Sequence, residues 1–123
     1  MKSGIQGKIE RVCRMNFKSL NSATNAMSLV SYLGPLDGSE SSVASLVGIA
    51  VNAVPLGYTG TAYTSGDRVP GFSSYSAGTE LYVYNATWAR YADLPTNTWT
   101  RPLGTVDHQG YLRLNFGAVV KKS

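Results

Sequence analysis

A single thiol, Cys13, a single imidazole, His108, and seven carboxylates are the groups of this chain best suited to nucleophilic, acid–base or metal chemistry. A catalytic thiol needs a base to draw off its proton, and the only histidine lies near the other end of the sequence. Cys13 therefore reads as a small, partly buried thiol, and a lone cysteine forms no internal disulfide. One cysteine and one histidine cannot make the usual zinc set, and no Asp-x-Asp spacing suggests a calcium loop. Asp107 next to His108 offers two members of a serine triad. Yet Asp107-His108-Gln109-Gly110 has the composition of a hairpin turn, where Asp is selected for backbone reasons.

The run 57–68, GYTGTAYTSGDR, lacks the Gly-Lys-Ser/Thr ending of a phosphate-binding loop. Asp37, Glu40, Asp67, Glu80, Asp93 and Asp107 fall in turns or at strand starts, and no two stand out as a glycosidase pair. Asn85-Ala86-Thr87 matches the N-glycosylation sequon, but no apolar secretion signal precedes it. The chain reads as non-enzymatic, with no catalytic residue, no metal ligand and no cofactor expected.

Aromatic and basic side chains are the remaining candidates. Tyr82, Tyr84, Trp88, Tyr91, Trp99 and Tyr111 crowd the C-terminal half. Rings exposed on a sheet stack on sugars or bases, or anchor a protein interface; the alternative is that they complete a small core, which weighs more on Trp88 and Trp99 than on Tyr82 and Tyr84. Arginine near such rings favours an interface, so Tyr82, Tyr84, Trp88, Arg90, Tyr111 and Arg113 form one candidate partner-binding set, with Arg101 close by. The second set is basic. Lys2, Lys8, Arg11, Arg14 and Lys18 stand against Glu10 alone, Lys121 and Lys122 close the chain, and the residues between are slightly acidic within a net charge of +4. Basic ends on an acidic body suit an acidic protein surface, nucleic acid or water.

These side chains need strands to position them. With 43% hydrophobic residues, 15% charged residues and thirteen glycines in 123 residues, the composition favours one all-β domain over 19–123, preceded by a basic arm or first strand over 1–18. No run of about 18 apolar residues spans a membrane. A strand is expected within 27–33, and 34–42 reads as an exposed loop. Val47, Ile49, Val51 and Ala53 alternate with Gly48, Ala50 and Asn52 until Pro55, with small residues on one face. Ser65-Gly66-Asp67 suggests a tight hairpin joining 61–64 to 68–72. Leu81 and Val83 should face a core with Tyr82 and Tyr84 opposite. The chain bends at Asn85-Ala86 into 87–91 and turns again at 94–97. A last hairpin joins 101–106 to 111–116, with Leu112, Leu114 and Phe116 on one face and Tyr111, Arg113 and Asn115 on the other. No internal repeat is visible. Short strands with a turn every eight to twelve residues predict a small antiparallel β-barrel or sandwich.

Several of these strands resemble known ones. Leu46–Val51, the Ala77–Val83 strand with its A-G-x-x-L-Y-V pattern, Ala92–Thr96, Arg101–Val106 and Gly110–Phe116 resemble the small β-barrel structural proteins of tailed bacteriophages, of the head decoration (cement) type and some tail fibre modules. The resemblance covers a little over half of the chain, and residues 1–40 lie outside it. It implies a virion structural protein without catalytic residues, assembled in the host cytoplasm, which docks on the major capsid protein as a dimer or trimer and strengthens the shell. Two other readings compete. A tail-associated receptor or glycan-binding module would use Tyr82, Tyr84, Trp88 and Tyr91 as a stacking surface. A nucleic-acid-binding barrel is disfavoured, because the basic residues sit at the termini and the body is acidic.

Overall fold

The computed structural model describes residues 13–123 except Asn21 and Leu33. Its strands are β1 (Met15–Lys18), β2 (Leu29–Ser31), β3 (Gly34–Pro35), β4 (Leu46–Ala50), β5 (Thr59–Tyr63), β6 (Arg68–Val69), β7 (Glu80–Tyr84), β8 (Thr87–Ala89), β9 (Trp99–Thr100), β10 (Pro102–Val106), β11 (Leu112–Leu114) and β12 (Val120–Lys121). The fold is all-β, with one helix, α1 (Glu40–Ala44), and a single 3-10 turn over Tyr91–Asp93 among the described residues. Two antiparallel five-stranded sheets carry it, in the orders β1-β5-β4-β2-β3 and β6-β11-β10-β7-β8, while β9 and β12 form a small separate ladder. The two sheets stack as a sandwich, and no closed barrel forms among the described residues.

Hydrophobic burial joins the layers. Leu29, Leu46 and Ile49 from the first sheet meet Val69, Leu81, Val83, Leu103, Val106, Leu112 and Leu114 from the second, with Phe72 and Val43 of α1 among them. A smaller cluster, Phe17, Val30, Val47, Ala50, Val54 and Ala62, lies on the other face of the first sheet. There a bridge between Thr24 and Val54 folds the chain back over that face. At Gly60 an added Cβ would strike the Val54 side chain and press on the Phe17 ring, so glycine leaves the room this cover needs.

Contrary to the sequence reading, the chain contains an internal repeat. In chain order the first sheet runs β1, β2, β3, β4, β5 and the second β6, β7, β8, β10, β11, and both have the same spatial order. The registers also coincide. Val30 pairs with Gly48 and Ser31 with Leu46, skipping Val47; Leu81 pairs with Gly104 and Tyr82 with Pro102, skipping Leu103. On the neighbouring strand Ile49 faces Tyr63 and Thr105 faces Arg113. Each bulge glycine lies against a backbone: a Cβ on Gly48 would collide with the Tyr63 carbonyl, and one on Gly104 with the Arg113 carbonyl.

This bulge also corrects the expected alternation of 47–53. An extra residue flips the face, so Leu46 and Ile49 join the main core while Val47 and Ala50 join the second cluster.

Two other expectations change. Residues 61–64 and 68–72 form no hairpin, because β5 pairs with β1 and β4 whereas β6 pairs with β11. The Ser65–Asp67 turn instead carries the chain from one sheet to the other. Buried Asp67 pins this crossing by accepting from the Cys13 N–H at 2.8 Å and the Thr64 N–H at 2.9 Å. Residues 34–42 are not a loop throughout: β3 pairs with β2, and Ser39 caps α1 by accepting from the Ser42 N–H at 3.2 Å. Of the two expectations for 1–18, arm or first strand, residues 15–18 form a strand: β1 pairs with β5 and buries Phe17.

Candidate functional site

The repeat has unequal faces. In the first sheet Leu29, Leu46, Ile49 and Tyr63 receive the second sheet. Their register equivalents in the second sheet are Glu80, Pro102, Thr105 and Arg113, which point away from the core. Glu80, Thr105 and Arg113 are exposed and Pro102 is half-buried. Two adjoining hollows lie on this outer face. One, of about 550 Å³, is lined by Ser65, Gly66, Thr105, Arg113, Leu114 and Asn115. The other, of about 270 Å³, lies between Glu80, Pro102, Thr105 and the Asn115–Gly117 segment.

The expected aromatic set divides between the two faces of this sheet. Tyr82 and Tyr84 are half-buried on the outer face, opposite core-facing Leu81 and Val83. Tyr82 tilts against exposed Tyr91 with centroids 5.0 Å apart. Trp88 is not with them. It pairs across the hairpin with Val83, lies 5.0 Å from the Phe72 ring and packs against the main core. Tyr82, Tyr84, Trp88 and Tyr91 therefore do not form one stacking surface. Trp99 also packs against the core.

Each arginine has a different task. Arg113 is exposed, and its side chain makes no hydrogen bond or ion pair among the described residues. Arg90 reaches Asp93 at 3.1 Å in an exposed pair of small energetic weight. Arg101 is absorbed by the scaffold: its Nε donates to the Gly117 carbonyl at 2.9 Å and a terminal nitrogen to the Val43 carbonyl at 3.2 Å. Burial pushes the Arg101 guanidinium below its ordinary pKa. Arg68 sits 4.3 Å over the Tyr111 ring and pairs with Asp107 at 2.9 Å, which leaves Tyr111 a packing role.

In the last turn Asp107 serves the backbone, accepting from the Gln109 N–H at 2.9 Å and the Tyr111 N–H at 3.0 Å. Desolvation pushes its carboxyl up, but the Tyr111 N–H, Arg68 and the Gln109 N–H outweigh this and hold it below the usual value. His108 is an exposed turn residue.

Of the basic set, Arg14 stacks 4.7 Å over the Tyr63 ring and Lys18 is exposed on β1. Lys2, Lys8 and Arg11 lie outside the described residues. The sequence reading missed a patch beside Lys18. Tyr58 is 67% exposed and Leu56 56% exposed, and Leu20 joins them where the Ser19 N–H donates to the Tyr58 carbonyl and the Gly57 N–H to the Ser19 carbonyl. The signal was present in 55-PLGY-58, where a turn carries two large apolar side chains that no strand pattern requires.

Among the described residues no group of three His, Cys, Asp or Glu side chains could hold a metal ion, and no helix is long and apolar enough to cross a membrane. Comparison with protein-family models, curated proteins and solved structures finds no match to this chain.

Proposed function

We propose that this protein is a virion structural protein, a capsid decoration (cement) protein that docks on an assembled phage head shell and stabilises it. The observation that carries the reading is the exposed Leu20–Leu56–Tyr58 patch next to Lys18. It lies on the sheet whose first strand continues from the basic N-terminal residues. Contiguous exposed apolar side chains mark interaction sites, and a tyrosine with a basic rim suits a partly polar, acidic partner surface. Tyr58 and Leu56 belong to the 51–58 connection between β4 and β5. The equivalent connection in the second half, 107–111, is a tight turn. Loops that depart from a repeated scaffold are where binding residues concentrate. The resemblance of the Ala77–Val83, Arg101–Val106 and Gly110–Phe116 strands to those of phage head proteins supports the choice of partner, the major capsid protein.

The test is quantitation in purified particles against the major shell protein. Hundreds of copies per particle support cement, and Leu56→Ser with Tyr58→Ser should then reduce occupancy about tenfold or more, the loss expected for two interface anchors. A handful of copies relocates the protein to the tail. Absence from particles removes the virion reading.

A further inference from the structure

The outer face of the second sheet is built to receive another layer. Its equivalent in the first sheet, Leu29, Leu46, Ile49 and Tyr63, already has a β-sheet packed on it, so this surface geometry accommodates a stacked sheet. What differs is the chemistry. Glu80, Thr105 and Arg113 form one row across β7, β10 and β11, with Thr105 in the middle. Strand spacing sets Glu80 and Arg113 about 10 Å apart on either side of Thr105. Neither charge has a hydrogen-bond or ion-pair partner among the described residues.

We infer that this face is a dimer interface between two copies of this chain, related by a two-fold axis running along β10 over Thr105. Two faces can meet about a two-fold axis only if the axis lies in the plane between them. An axis across the strands would set Glu80 on Glu80 and Arg113 on Arg113, juxtaposing like charges. An axis along β10 exchanges left and right, so each Arg113 meets the other copy's Glu80 while Thr105 meets Thr105. The row is complementary to itself in that arrangement alone, the isologous pattern of a closed dimer. The hollows fit as well. Each Arg113 projects toward the 270 Å³ hollow beside the partner's Glu80, and each Glu80 toward the 550 Å³ hollow beside the partner's Arg113. Tyr82, half-buried next to Glu80, adds aromatic area at the margin.

The test is sedimentation of the full chain over a concentration series. The wild type should reach a dimer. Arg113→Glu and Glu80→Arg should each raise the dissociation constant about tenfold or more, because each gathers like charges at two symmetric places. The combined variant, with both substitutions, restores opposite signs and should regain the dimer. Thr105→Cys in a Cys13→Ser background should form an intermolecular disulfide under mild oxidation, which reports the axis even if a charge variant folds poorly. A wild type that stays monomeric at its highest soluble concentration overturns the inference. So does a trimer, a dimer indifferent to both single substitutions, or a combined variant that remains monomeric. None of these outcomes depends on the virion reading.

Discussion

The two sheets share strand order, register and bulge, yet they end in different surroundings. β2 and β4 of the first sheet are buried along their whole length on both faces, whereas β7 of the second alternates buried with half-buried or exposed residues. One backbone plan has become a middle layer in one half and an outer layer in the other. The choice lies on a single face. Val30, Val47, Ala50 and Ala62 match Leu81, Leu103, Val106 and Leu112, apolar in both halves. Leu29, Leu46, Ile49 and Tyr63 match Glu80, Pro102, Thr105 and Arg113, where polarity replaces apolar area. The ladder is thus set by the backbone and its two close-packed glycines, while the stacking order follows the four facing side chains.

The largest expected effects test the shared part. Gly48→Ala and Gly104→Ala each place a methyl group against a neighbouring strand's carbonyl. Overpacking against backbone that cannot move aside costs about 3 kcal/mol in either half, read as a loss of unfolding free energy in urea. Similar losses would support structural equivalence of the bulges. A nearly neutral Gly104→Ala beside a severe Gly48→Ala would break it.

Next come exchanges between the unlike faces. Ile49→Thr leaves a hydroxyl and a gap in the main core and should cost about 2 kcal/mol. Thr105→Ile changes a position exposed in the single chain and, measured at concentrations too low for the dimer, should stay within about 0.5 kcal/mol of wild type. Equal costs would mean that the outer face of the second sheet is already covered in the isolated molecule.

Why one half was legible and the other was not follows from the same difference. In the second sheet one face is polar, so Leu81, Val83, Leu112 and Leu114 alternate cleanly and their burial could be read directly. In the first sheet both faces are apolar, so 46-LVGIA-50 carries no period, and the bulge that turns Val47 away from Ile49 leaves no mark beyond one glycine among many. The repeat stayed hidden because its halves share ladder positions while half of the side chains at those positions differ in kind. The crossing at Ser65–Asp67 was misread as a hairpin because a turn sequence specifies a reversal of direction, not which sheet receives the chain. The face of Trp88 stayed open between surface and core for a simpler reason: its cross-strand partner, Val83, fixes it, and that pairing depends on register. The Tyr58 patch sits in the connection where the two halves diverge most, and no pattern of either strand points to it.

The smallest effect concerns that divergence. The second half closes its β10–β11 connection with Asp107, while the first uses the longer 51–58 segment and has no carboxylate there. A carboxyl held below its ordinary value favours the folded state above the unfolded pKa of about 4. That contribution is lost as pH falls through the lower folded value. Asp107→Asn should therefore lower the urea midpoint at pH 7, and the gap from wild type should narrow steadily as pH drops below about 4. Asp37 behaves alike: the Ser39 hydroxyl and N–H, with help from Ser42, hold it at about 2, so its share disappears between about pH 4 and 2. Asp37 is exposed and Asp107 partly buried, so Asp37→Asn should give the smaller gap of the two. Urea midpoints for the three proteins at several pH values decide the matter. A gap for Asp107→Asn that does not change with pH would mean that the turn depends on the shape of the side chain and not on its charge.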